Sequence, residues 1–181
     1  MASLGLAHSG DWLNVVPSVS LGLQLRPPEF RMSVLYRLGL PIFRTEGPCI
    51  ACGQLSDIFG DHAIACGSQG ERISRHNHLR DAIYHAAVSA SLGPTREDRA
   101  LLPGVDHRPA DIFIPHWAGG QDAALDVTVT SPLQLQTINR AAVEPGYALQ
   151  ARYNQKWNKY GELCRAEGIV FYPLPVETLE A

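Results

Sequence analysis

Four side chains suited to binding a soft metal ion sit close together in this sequence. Cys49-Ile50-Ala51-Cys52 is followed by nine residues, then His62, then three more and Cys66, a C-x2-C-x9-H-x3-C arrangement. Three thiolates and an imidazole are a donor set for tetrahedral zinc, and the first pair is spaced so that one tight turn presents both sulfurs. Gly47-Pro48, Gly53 and Gly67 flank the ligands with turn formers, and the segment has few apolar residues to hold it together otherwise. Four protein ligands leave no open position, so such a zinc is structural. A disulfide reading is disfavoured, because no secretory signal is present and three cysteines do not pair evenly. Cys164, the fourth cysteine, falls on an apolar helix face and reads as core.

A second chemistry comes from two aspartates. In Ala110-Asp111-Ile112-Phe113-Ile114 and Leu125-Asp126-Val127-Thr128-Val129, each aspartate interrupts a run rich in β-branched and aromatic residues, opposite the aliphatic face of its strand. A hairpin turning between Ala118 and Gly119 sets Asp111 directly across from Asp126; a turn at Gly119-Gly120 leaves them on one face. Two carboxylates so placed repel, which raises one pKa unless a cation lies between them. The simplest such cation is a divalent metal with oxygen ligands. Of the 15 cationic residues only Lys156 and Lys159 are lysine, three residues apart. A compact ammonium is the cation that a catalytic site uses when arginine serves everywhere else.

The elements that must position these groups are legible from periodicity. A short helix is expected from Pro28 to Gly39, with Phe30, Val34, Leu35 and Leu38 on its apolar face. A longer one is expected from Glu71 to about Leu92, ended by Gly93-Pro94, with an apolar stripe that includes Ile73, Ile83 and Ala87. Alternation then replaces helical spacing, giving strands over 110–114 and 124–130 joined by a glycine-containing loop. A third helix fits about Tyr147 to Glu167, and a last strand Ile169 to Tyr172. The order is helix, short strand, hairpin, helix, strand, an α/β arrangement. Residues 1–27 read as a leader or the tail of an upstream domain, and Pro41 to Pro48 as a linker.

Composition bounds the function. The 181 residues are 45% hydrophobic and 18% charged, within the globular range. No apolar run approaches the ~18 residues of a membrane span, and no signal peptide opens the chain, so an intracellular protein is expected. The net charge of −3 weighs against a broadly basic nucleic-acid binder, since such proteins draw most of their affinity from neutralised phosphates.

Taken together, Arg108-Pro109-Ala110-Asp111, Leu125-Asp126-Val127-Thr128-Val129 and Lys156-Trp157-Asn158-Lys159-Tyr160, downstream of the Cys-Cys-His-Cys knuckle and an Arg75-His76-Asn77 helix, resemble a known family. It is the restriction-like endonuclease domain of non-LTR retrotransposons, part of the PD-(D/E)XK superfamily. The resemblance covers about residues 47–173. Ala110 is an insertion in the family's Arg-Pro-Asp motif, and Thr128 stands where the superfamily's motif lysine would be. The resemblance implies a PD-(D/E)XK core (α-β-β-β-α-β) over 71–181, preceded by a zinc knuckle over 47–70 and a helical leader and linker over 1–46. It implies Asp111 and Asp126 as Mg²⁺ ligands, Lys156 or Lys159 as the catalytic lysine moved onto the following helix, and Glu97 as an additional acidic residue. Arg72, Arg75, His76 and Arg80 become candidates for contacting nucleic acid.

The implied activity is metal-dependent nicking of DNA, with a reverse transcriptase region as the upstream companion and a nuclear location in a eukaryotic host. A catalytically idle zinc-stabilised DNA-binding module and a protein-interaction domain are the competing readings, and the acidic net charge favours either. The chain is then a fragment, a separated domain or a domesticated remnant.

Overall fold

A computed structural model describes residues 5–7, 9–20, 22, 24–68, 70–97, 101–102, 104, 108–134 and 136–178. Met1–Leu4, at the start of the expected leader, lie outside the described residues. The chain forms two compact units, one of residues 1–72, 131–147 and 178–181, the other of residues 73–130 and 148–177.

In the first unit, helix α1 spans Pro27–Arg37. The Glu29 carboxylate accepts the Arg26 N–H at 2.8 Å, closing the first turn behind two prolines that have no N–H to satisfy. Its expected apolar face is largely uncovered: Phe30 and Leu38 are exposed, and the buried side chain is Tyr36. Strands β1 (Gly47–Pro48) and β2 (Leu55–Ser56) pair antiparallel, and the short helix α2 (Asp61–Ala65) follows. The segment 131–147, also in this unit, carries one helical turn, α4 (Ile138–Ala141).

The second unit is built on helix α3 (Glu71–Ser89), strands β3 (Thr95–Arg96), β4 (Ile112–Ala118) and β5 (Gln121–Thr130), helix α5 (Tyr147–Ala166) and strand β6 (Ile169–Glu177). The four strands lie in the order β3-β4-β5-β6, antiparallel except for the parallel β5–β6 pair. The molecule is thus a mixed α/β protein. Ile112, Ile114 and Ala123 pack with Ala87 and Ile83 of α3, while Ala124, Phe113 and Phe171 pack with Tyr160, Cys164 and Trp157 of α5. Helices therefore cover both faces of the sheet. The strand alternation separates two apolar layers rather than a dry side from a wet one, which is why Phe113 and Asp126 lie inside the fold.

Strand β6 runs five residues past the expected end at Tyr172, through Pro173 and Pro175. It is an edge strand bonded only to β5, and prolines two apart both turn their missing donor to the open side. The hairpin turns at Gly119-Gly120, with φ of 61° and 81°, the left-handed pair that a tight two-residue turn requires. Between Ile114 and Ala118 the register shifts: Ile114 faces Ala123, whereas Ala118 faces Gln121. β4 therefore carries two more residues than β5 in this interval. His116 lies at φ 51° in the bulge, and its N–H donates to Asp122 Oδ1 at 2.9 Å.

Candidate metal centre and carboxylate site

In the first unit the Cys49, Cys52 and Cys66 sulfurs and a His62 ring nitrogen all lie within 4.8 Å of one another. Bonds of about 2.0–2.3 Å to a tetrahedral zinc give donor–donor edges of about 3.3–3.8 Å, so four such atoms enclose one ion. The local fold assembles them. Gly53, at φ 73°, closes the turn whose N–H donates to Cys49 O at 2.8 Å, and the Cys49 N–H donates to Gln54 O at 2.8 Å. Asp57 accepts the N–H groups of His62 (2.7 Å), Phe59 (2.8 Å) and Asp61 (3.1 Å), which pins the start of α2 and thereby His62. Burial pushes the Asp57 carboxyl up, but those N–H groups outweigh it and hold it below the usual range. Cys66 caps α2 with its N–H on His62 O at 2.7 Å. The N–H groups of Ala51 and Cys52 draw the Cys49 thiol down to about 6, favouring the thiolate that a metal needs. The cluster is suited to a metal such as zinc. Cys164 is wholly buried in the second unit, and burial lifts its thiol to about 11, as for an inert core cysteine.

In the second unit Asp111 and Asp126 stand at the same end of the β4–β5 hairpin. Asp111 follows just outside the Ile112–Leu125 pair. Its N–H donates to Leu125 O at 2.9 Å, and its carbonyl accepts the Glu97 N–H at 2.9 Å. Beyond that point its side chain replaces the ladder, since Asp111 Oδ2 accepts the Val127 N–H at 2.7 Å. Asp111 and Asp126 lie next beyond the Ile112–Leu125 pair, the last of the regular register at this end. His76 of α3 meets Asp111, with Nε2 at 3.3 Å from Oδ2, and Lys156 of α5 meets Asp126, with Nζ at 3.1 Å from Oδ1 and 2.8 Å from Oδ2. The two carboxylates are thus engaged by side chains from two different helices, α3 and α5.

Asp126 is 7% exposed. Burial pushes its carboxyl above the usual range, Lys156 pulls it back, and the charge of Asp111 adds to the rise. The expected repulsion between the two acids is present, but desolvation is the larger cause. His76 is held up at about 8 by the Asp111 carboxylate, against the effect of burial.

Of the two lysines only Lys156 reaches one of the two carboxylates, that of Asp126. Lys159 is exposed, with Nζ 4.7 Å from the centre of the Tyr160 ring. Glu97 is brought beside Asp111 through its N–H, at φ 54°, while its carboxylate is paired with Arg80 and Arg108. Arg80 is buried, pairing with Glu97 and with Asp81 at 2.9 Å, and Asp81 also takes Arg96 at 2.9 Å. This guanidinium is part of the frame holding α3 to β3, rather than an open phosphate contact. His76 is turned toward Asp111, Arg75 is half-buried, and Arg72 is an exposed side chain of the first unit. The role of His76 as a partner of Asp111 was missed in the sequence, which marked it as a candidate for contacting nucleic acid.

No protein-family model, curated protein or solved structure matches the chain.

Proposed function

We propose that the chain is a metal-dependent DNA endonuclease domain of the PD-(D/E)XK type, retroelement-derived, hydrolysing a phosphodiester to nick its target. The observation that carries this reading is Lys156 Nζ on the buried carboxylate of Asp126, with Asp111 at the same end of the hairpin. An ammonium on a buried acid, with a second acid at the same strand end of a sheet covered by helices, is economical for phosphoryl chemistry and costly for packing alone. The α-β-β-β-α-β order of the second unit and the upstream Cys/His cluster agree with it.

The donors suit a hard divalent cation such as Mg²⁺, because they are carboxylate oxygens grouped at one strand end. Asp111 and Asp126 would hold it; when bound, the ion neutralises charge on phosphate oxygens and makes a bound water more acidic. Lys156 holds the Asp126 carboxylate and supplies donors toward an attacking water or a developing anionic oxygen. Glu97 anchors the Asp111 main chain and keeps Arg80 and Arg108 neutralised. The first unit, with its zinc-type cluster, supplies a folded accessory module, and a net charge of −3 makes its DNA affinity modest and steeply salt-dependent.

The test is nicking of supercoiled plasmid in Mg²⁺ or Mn²⁺ by the wild type, Asp111→Asn, Asp126→Asn, Lys156→Ala and Lys159→Ala. Loss of cleavage in the first two variants, a drop of at least about a hundredfold in the third and near wild-type rates in the fourth are expected. Equal cleavage by all five proteins, or none by the wild type, refutes the assignment and leaves an interaction module as the better account.

A further inference from the structure

We propose that His76 is the positioning residue of the carboxylate site, fixing the Asp111 carboxylate by engaging Oδ2 so that Oδ1 is the atom left to face a cation. The metal-binding role of Asp111 rests on the endonuclease reading; the contact itself does not. Three groups converge on one spot. His76 Nε2 is 3.0 Å from Val127 O and 3.3 Å from Asp111 Oδ2, and that same Oδ2 accepts the Val127 N–H at 2.7 Å.

Nε2–H thus spans a main-chain carbonyl of β5 and a carboxylate at the start of β4, closing a small ring that includes both polar groups of Val127. The other ring nitrogen, Nδ1, lies 3.4 Å from Asn77 Oδ1, which helps set the orientation of the imidazole.

This arrangement matters because Asp111 lies where the strand ladder has just ended. A side chain at such a place has several rotamers open to it, and a carboxylate that must meet a cation with one chosen oxygen loses affinity in proportion to the time it spends elsewhere. The Val127 N–H donating to Oδ2 and the imidazole Nε2 3.3 Å from the same oxygen restrict that freedom, while among the described residues Oδ1 takes no hydrogen bond. Asp126 is held separately by Lys156, so the two acids are oriented by two independent side chains from two helices. The sequence suggested a phosphate contact for His76. Its side chain is instead only 30% exposed and committed to Asp111.

The experiment compares wild type, His76→Ala and His76→Gln, the last keeping an amide N–H able to donate from a similar position. Far-UV circular dichroism and zinc content serve as controls of folding. The first readout needs neither metal at the carboxylates nor DNA: amide hydrogen exchange of Val127 is followed by NMR. Protection of this amide is expected to fall about tenfold in His76→Ala relative to neighbouring β5 amides, and to recover in His76→Gln. The second readout is Mn²⁺ binding by calorimetry, expected to weaken about tenfold in His76→Ala and to recover in the glutamine variant.

Unchanged Val127 protection in a folded His76→Ala protein overturns the proposal, as does weaker Mn²⁺ binding that glutamine fails to restore, the behaviour of a direct nitrogen ligand. Tighter Mn²⁺ binding by His76→Ala overturns it too, since the imidazole would then be a competitor for the site. If Val127 protection follows the expected pattern while no variant binds Mn²⁺ or cuts DNA, the positioning of Asp111 stands and the endonuclease reading falls.

Discussion

Replacing Lys156 by methionine keeps most of the side chain's apolar stem and removes only its charge, leaving the Asp126 carboxylate without its nearest cation. The magnitude follows from the burial of the pair, with side chains 25% and 9% exposed for Lys156 and Asp126. Breaking a fully buried ion pair by deleting one partner costs about 3–5 kcal/mol. A lysine that keeps a quarter of its surface in water has lost less solvation, which brings the figure to about 2–3 kcal/mol. For a chain of this size that is a fall in melting temperature of about 5–10 °C.

The sign of the pH dependence is fixed by Asp126. Its carboxyl is already raised above the ordinary value by burial, and losing Lys156 raises it further. A carboxyl raised in the folded state favours folding below its unfolded pKa and forfeits that contribution as pH climbs through the folded value. The deficit of Lys156→Met is therefore largest where Asp126 is ionised and shrinks as the pH falls and Asp126 takes up a proton. Urea melts of wild type, Lys156→Met, Asp126→Asn and the double variant, without added divalent ions, read this as a cycle with a coupling of about 2 kcal/mol. A Lys156→Met protein as stable as wild type at pH 8, or a coupling near zero, would show the pair to be a solvated contact and refute the argument.

Purified without chelator, the chain carries one zinc, and Cys52→Ser or His62→Ala lowers that content and speeds metal release to a colorimetric chelator; metal-free wild type of equal stability would contradict this. Arg80→Met costs about 3 kcal/mol in denaturant melts, and Arg80→Lys restores only part of it, because the guanidinium serves Asp81 and Glu97 together. Gly161→Ala lowers stability by about 1 kcal/mol although alanine is the better helix former, since a Cβ there meets the Trp157 ring at 2.8 Å; a stabilised variant would show that the ring moves freely.

Local signals located most of the frame. Prolines at the start of α1, the glycine-proline pair after α3, and the aromatic spacing of α5 each act within a turn or two, so the helix limits were readable to within three residues. The Cys/His spacing was equally local. What lay beyond reach depends on which element covers which face. Period-two alternation in β4 and β5 marked an aliphatic face on each strand, but nothing in a strand reports that α5 covers its second face. Pro173 and Pro175 marked an end to β6 only for a reader who did not know it was an edge. The bulge at His116 and the Glu97–Arg80 pairing are tertiary outcomes, and nothing in the sequence around His76 pointed to Asp111 as its partner.

The bulge between Ile114 and Ala118 gives the hairpin two mechanically separate halves. A regular two-residue hairpin transmits any change at its tip down the ladder, and a slip of one residue there would carry every side chain to the other face. Here the slack is already taken up midway, and the pairing of Ile112, Phe113 and Ile114 with β5 is held by packing against α3 and α5. The tip around Trp117 and Gly119-Gly120 is thus free to change in length and composition under selection, while the carboxylate end stays in register. Such an arrangement lets what the hairpin tip touches change without disturbing the carboxylate end at its base.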